Sequence, residues 1–332
     1  MAICATSRMH KVVLAAVTAA LIAVTATGCA SGATAGETSD GAPIKVRIAY
    51  NPNTTYLSIA VAEEQGYFAD HGLDAQLTPS SNTSTLIPSI GQQFEFIPGG
   101  PGAILSFNAQ ASTPKAILVS AQTIENPTDR RNTYLVGKDI SSVDELKGKT
   151  IGLNVLSGTQ YTGLLKMLAD AGIKEADVKL VQVPFADMAN TLASGSIDAA
   201  LAISPFGQSL LSEGYNDLGN TIEYLLGDHV AMSTGWIVSP DFLENNKVAV
   251  DAFLAAQKDA YEWIKSNPDG AKEIMINDFQ MKEKAVAAID PAQFLSFTVE
   301  ASYLGDWIEP LTDAGQLPEN FAHDPATLVY LP

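Results

Sequence analysis

The chain carries 332 residues, with 19 Lys and Arg against 37 Asp and Glu, a formal net charge of −18, and 46% hydrophobic residues. That length and apolar content suffice for two lobes with real cores, and the sign of the charge excludes nucleic acid bound through its phosphates as a partner. Acidity of this kind speaks to solubility, not to fold.

Arg8 and Lys11 precede an apolar run over residues 12–26, interrupted only by Thr18 and Thr25, with small residues beyond it. A basic end, a short apolar run and small residues predict a secretory signal over residues 1–28, shorter than the roughly 20 residues of a membrane span. Ala26-Thr27-Gly28-Cys29 resembles a bacterial lipobox, with alanine where leucine is usual. The resemblance implies a diacylglycerol on the Cys29 thiol, cleavage just before it, and membrane attachment through that lipid. Cys4 leaves with the leader, so Cys29 stands alone and no internal disulfide is expected. Residues 29–42, rich in Ser, Gly, Thr and Ala, predict a flexible tether.

Residues 46–50 predict a strand and 51–55 a polar corner. Leu57, Ala60, Val61 and Phe68 then mark a helix that stops near Gly66, where a left-handed residue costs little. Residues 73–77 predict a second strand, parallel to the first. In such a unit the loop after the strand faces a crevice, and the helix start points unpaired N–H groups at its contents. A second corner at 79–84 leads to a predicted helix with Leu86, Ile87 and Ile90. A short strand over 94–97, a loop over 98–102, a helix over 103–109 and a strand over 116–121 follow. The polar segment 122–131 predicts a crossing between lobes.

Strand character resumes at 132–136. Ser141 ahead of Asp144, with Gly148 beyond, predicts a capping box. Strands over 150–153, 178–183 and 197–203 alternate with helices around Tyr161, Leu164, Leu165 and Leu168 and over 188–192, and Pro205 holds a permitted first-turn position. Residues 215–224 predict a return toward the first lobe and 230–238 a strand holding Trp236. The rest reads as helices, one of them around Phe294, packing on the first lobe. That makes the first lobe discontinuous, 43–122 plus 226–332, with 123–225 as the second.

Three stretches, in this order, carry a family resemblance: Ala60-Val61-Ala62-Glu63-Glu64-Gln65-Gly66-Tyr67-Phe68 with Gly72-Leu73-Asp74; Asp144-Glu145-Leu146-Lys147-Gly148-Lys149-Thr150-Ile151-Gly152; and Gly195-Ser196-Ile197-Asp198-Ala199-Ala200. The chain resembles the NMT1-like solute-binding proteins of ABC importers for nitrate, sulfonates, taurine and thiamine-precursor pyrimidines. The resemblance implies an α/β, type II periplasmic-binding-protein fold: two lobes, each a mixed sheet flanked by helices, joined by two hinge strands. It implies a monomer whose partners are a small-molecule solute and ABC permease subunits.

Carried over by position, the resemblance lines the cleft with Tyr50, Asn51, Thr54 and Thr55, then Ser81 and Asn82, then Gly99 and Gly100. From the other lobe come Ser157, Gly158, Thr159 and Gln160, with Phe185, Ser204 and Phe206 near, and Gln122 and Trp236 toward the hinge. Read singly, each Ser, Thr or Asn is more often a helix cap than a ligand contact. These loops hold no basic side chain, so helix-start N–H groups would bind an oxyanion, while the aromatic residues suit a ring-bearing solute or, by cation–π attraction, an ammonium group. A sulfonate held by dipoles and a small ring-bearing compound both remain open; bare nitrate suits the set less.

An enzyme of the pyrimidine-synthase type and a lipid-anchored sensor are the rival readings. Beyond the leader the histidines are His71, His229 and His323, with no zinc-type His/Cys spacing, no Gly-x-Ser-x-Gly elbow and no Gly-x4-Gly-Lys loop. Neighbouring carboxylates such as Asp144 and Glu145 point apart on a helix. No catalytic residue, metal or cofactor is expected.

Overall fold

The computed structural model describes residues 42–126, 131–227, 229–287 and 289–332; the leader, Cys29 and the tether up to residue 41 lie outside the described residues. Ile44–Tyr50 forms β1 and Leu73–Pro79 forms β2, parallel, with Ile44 opposite Leu73 and Tyr50 opposite Pro79. Between them run the helices Leu57–Glu64 and Tyr67–Asp70, broken at Gly66, whose φ of 79° is the left-handed value expected of a glycine stop. Val46 and Ile48 on β1 and Leu57, Ile59 and Val61 on the helix are fully buried against one another, the usual result of a crossover laid on a parallel pair.

Ile97–Gly99 is β3, and Ile117–Glu125 is β4. The segment expected as a helix around Leu86 is instead a 3₁₀ turn, Thr83–Ser89, because Pro88 inside it has no N–H to continue an α-helix. The strand expected to end at Ala121 runs on to Glu125. Its polar Gln122 is buried yet fully bonded: Nε2 donates to the Thr55 carbonyl (2.7 Å) and the Ser58 hydroxyl (2.9 Å), and Oε1 accepts from Trp236 Nε1 (2.5 Å).

Thr133–Gly137 (β5), Thr150–Leu153 (β6), Lys179–Gln182 (β7), Ala199–Ile203 (β8) and Asn216–Gly219 (β9) form one sheet in the order β7-β6-β8-β5-β9, with β5 antiparallel to both neighbours. The stretch expected to return toward the first lobe thus supplies an edge strand before the helix Thr221–Leu226, which Asn220 caps. The capping box at Ser141 and Asp144 does not form: the Ser141 N–H and hydroxyl both bond the Glu145 carboxylate, at 3.1 and 3.0 Å.

Ala231–Val238 is β10, antiparallel to both β3 and β4. β1 joins this group through a parallel bridge from Ile48 to Phe96, backed by a 3.1 Å bond from the Ala49 N–H to the Phe96 carbonyl. The resulting order, β2-β1-β3-β10-β4, repeats that of the other sheet. Beyond β10 the helix Lys247–Ser266 lays a fully buried stripe, Ala249, Val250, Phe253, Ala256, Ala260 and Ile264, on the first sheet's helices. Ser302–Gly305 and Ile308–Asp313 cover the same half on its other side, whereas Phe294 lies in a turn rather than a helix.

Candidate functional site

The two sheets aim the carboxyl ends of their parallel strands at one crevice, the position at which α/β sheets hold ligands. A cavity of about 140 Å³ lies there. The loops after β1, β2 and β3 supply Asn51, Asn53, Thr55 and Tyr56, then Ser81, Asn82, Thr83 and Ser84, then Gly99, Gly100, Gly102 and Ala103. Facing them are Asn154, Val155, Ser157, Gly158, Thr159 and Gln160 after β6, Phe185 after β7, and Ile203 and Ile222. Glu125, Asn132, Ser233 and Thr234 close the wall where the chain crosses between sheets. The volume is close to the roughly 150 Å³ of an engineered cavity that holds one benzene ring.

Of the residues singled out from sequence, Asn51, Thr55, Ser81, Asn82, Gly99, Gly100, Ser157, Gly158, Thr159, Gln160 and Phe185 line this cavity. Six stand away from it. Tyr50 is half-buried at the end of β1 against the large core, where burial, then Asp278 and Glu63, push its hydroxyl up. Thr54 donates its hydroxyl to the Ser204 carbonyl at 3.3 Å, a bond from one half to the other in a smaller crevice alongside. Phe206 stacks on Phe185, with ring centres 6.0 Å apart and planes at 14°. Gln122 and Trp236 satisfy each other in the core, Trp236 packing edge-on to Tyr56 and Phe253.

Several lining residues had no sequence signal beyond being polar. Asn53 accepts from the Thr55 N–H at 2.9 Å and so caps the 3₁₀ turn Thr54–Tyr56. Burial pushes the Tyr56 hydroxyl up to about 12, although bonds to Thr83 and Thr234 pull the other way. Glu125 is 2% exposed; its carboxylate accepts from the Asn132 N–H (2.9 Å), the Thr133 N–H (3.0 Å) and the Thr133 hydroxyl (3.0 Å). Burial raises its carboxyl above the ordinary range, and those bonds only partly oppose the rise. Polar residues at a strand end give no hint of that burial.

At the helix starts on the crevice, one N–H is already bonded within the protein and one position has no N–H to offer. The Gly158 N–H, at the start of Gly158–Asp170, donates to Gln316 Oε1 at 3.1 Å, while Gln316 Nε2 bonds the Thr162 hydroxyl. The facing helix, Pro101–Asn108, opens with a residue that has no N–H at all. Among the described residues lining the cavity there is no Lys, Arg or His, and Glu125 is the one carboxylate. His71 pairs with Asp259 at 2.7 Å, and the His323 ring bonds the carbonyls of Asn108 and Ala111 at 3.0 and 2.9 Å. Among the described residues no group of His, Cys, Asp and Glu side chains is placed to hold a metal ion, and no helix is long and apolar enough to cross a membrane.

A family described as NMT1/THI5 like matches residues 53–271, well over half of the chain. The chain belongs to this family. A formylaminopyrimidine-binding protein of Halalkalibacterium halodurans is 25% identical over 240 residues, covering 71% of this chain and 70% of that protein. A 4-amino-5-hydroxymethyl-2-methylpyrimidine phosphate synthase of Saccharomyces cerevisiae is 26% identical over 231 residues, 66% of each chain. The alkanesulfonate-binding protein of Xanthomonas axonopodis pv. citri, solved with MOPS bound, superposes with a TM-score of 0.70 at 17% identity, covering 88% of this chain and 99% of that one. This NMT1/THI5-like protein therefore has the periplasmic-binding-protein fold, and the paired sheets and the crevice between them are its defining parts.

Proposed function

We propose that this NMT1/THI5-like protein is the extracytoplasmic solute-binding component of an ABC importer, capturing a small organic solute between its halves and delivering it to a membrane permease. The observation that carries the reading is the cavity of single-ring volume on which loops of both sheets converge. Residues 43–122 with 226–332 form one jaw and 123–225 the other; closure shifts the population toward the form the permease recognises. Cys29 carries the lipid, residues up to 42 form the leash, and the protein works as a monomer. Binding rather than turnover is supported by the formylaminopyrimidine-binding relative.

Between the two solute classes, the ring-bearing one has more support than the sulfonate or taurine-like one. The cavity matches one ring in size, and the Gly158 and Thr55 N–H groups are already taken by Gln316 and Asn53. The relative that binds a formylaminopyrimidine points the same way. Calorimetric titration of the purified full-length chain with small pyrimidines, aromatic acids and sulfonates tests the reading. A binder is expected to raise the melting temperature, with about 2.7 kcal/mol of stabilisation at a hundredfold excess over Kd. Binding of none, or turnover of the one that binds, overturns it.

A further inference from the structure

We propose that Glu125 sets the charge of the solute: the cavity takes a compact ring bearing a protonated amine and turns away anions of the same size. The inference rests on the solute-binding reading and adds to it a ligand class and the residue that selects it. Glu125 ends β4 where the chain crosses between the sheets, so its carboxylate belongs to the wall shared by both halves. Its hydrogen-bond partners among the described residues, two backbone N–H groups and the Thr133 hydroxyl, with the Ser233 hydroxyl beside them, are all neutral and supply no counter-charge.

Among the described residues no cation pairs with Glu125; a buried carboxylate so placed is unfavourable, and burial raises its carboxyl accordingly. A cation entering the cavity relieves it; an anion meets it unscreened, because the described lining residues hold no basic group to offset the repulsion. The side chains around it fit the same occupant. Asn51, Asn82 and Asn154 offer amide oxygens to N–H donors, and Phe185 offers an aromatic face to a ring or an ammonium group. The chain's overall charge of −18 draws cations toward the crevice and repels anions.

Three probes with one ring frame isolate the charge: benzylamine, benzyl alcohol and phenylmethanesulfonate, each titrated into the full-length chain. Benzylamine is expected to bind at least tenfold tighter than the sulfonate, with the alcohol between them. Glu125→Gln, which keeps the shape and removes the charge, is expected to weaken benzylamine at least tenfold and leave the alcohol within twofold. Glu125 also holds the Asn132 and Thr133 backbone, so the wild-type probe series decides the matter if that variant does not fold. Sulfonate binding as tight as the amine, or a folded Glu125→Gln chain with unchanged benzylamine affinity, overturns the assignment. Failure of all three probes while the wider panel still yields a binder overturns the charge inference alone; failure of the wider panel removes the solute-binding reading beneath it.

Discussion

In the sheet β7-β6-β8-β5-β9 each neighbouring pair is a ladder, and β8 pairs along five residues with β5; in the other sheet β3 is only three residues long and meets β1 at the single pair Ile48 and Phe96. The same strand order is therefore held together in two ways. The thin join is backed by side chains: Phe96 stacks on Phe253 with ring centres 4.0 Å apart, and Phe253 also packs against Phe68 and Trp236. Helix Lys247–Ser266 supplies that backing. Among the described residues the second half has no helix of that length and relies on continuous backbone pairing over shorter helices, of which Gly158–Asp170 is the longest. One half is held mainly by core packing and the other mainly by its ladder.

Phe253→Ala is the most severe way to test that contrast. It removes a fully buried ring that touches three other aromatic side chains, and a loss of about 3–5 kcal/mol is expected. Leu201→Ala, on the central strand β8 and 1% exposed, is expected to cost nearer about 2–3 kcal/mol, since the ladder on both sides stays intact. Urea unfolding of both variants measures the difference. Equal losses would break the contrast.

A smaller effect is expected where the halves touch. A Cβ on Gly102 would lie 3.0 Å from the Gly158 Cα and 3.3 Å from the Thr159 nitrogen, so backbone meets backbone across the crevice. Gly102→Val wedges that contact. Separation of the halves relieves the overlap without disturbing either core, so stability should change little. Affinity for a panel solute should fall about tenfold, or about 1.4 kcal/mol. A large fall in melting temperature with affinity unchanged would mean that the halves form one rigid body.

The local signals that were legible in the sequence are those that depend on near neighbours. Alternating Val46 and Ile48, the Gly66 stop and the apolar face of residues 250–264 sit where periodicity and backbone chemistry place them. Loops after parallel strands were legible as cavity walls because topology sends them there, whatever their side chains do. What escaped was set by distant partners. Gln122, Thr123 and Glu125 look like a polar loop, yet Gln122 is strand because Thr55, Ser58 and Trp236 satisfy it. Asn216-Asp217-Leu218-Gly219 has little strand propensity and pairs with β5 while Arg131 clamps Asp217, at 2.5 and 2.8 Å, and the Gly219 carbonyl, at 2.8 Å. Trp236 pointed toward the hinge side of a site on the ground that its N–H needs a partner; Gln122 supplies that partner inside the core.

The mildest expected effect concerns the ion pair at the thin join. Glu95 accepts from the Arg47 backbone N–H (2.7 Å), Nε (3.0 Å) and Nη2 (2.5 Å), tying β1 to the residue just before Phe96. Burial alone would raise the Glu95 carboxyl, but its bonds to the side chain and backbone of Arg47 outweigh that and hold it below the ordinary range. A carboxyl depressed in the folded state stabilises the fold fully above its unfolded value, about 4.3, and that contribution is lost as pH falls through the folded value. Glu95→Gln is therefore expected to cost at most about 1 kcal/mol at neutral pH, because the Arg47 side chain is 41% exposed and water screens the pair. Urea midpoints for wild type and variant should converge as the pH falls below about 4. A gap as large at pH 3 as at neutral pH would mean that the join depends on the shape of Glu95 rather than its charge, leaving the Phe96 and Phe253 stack as its main support.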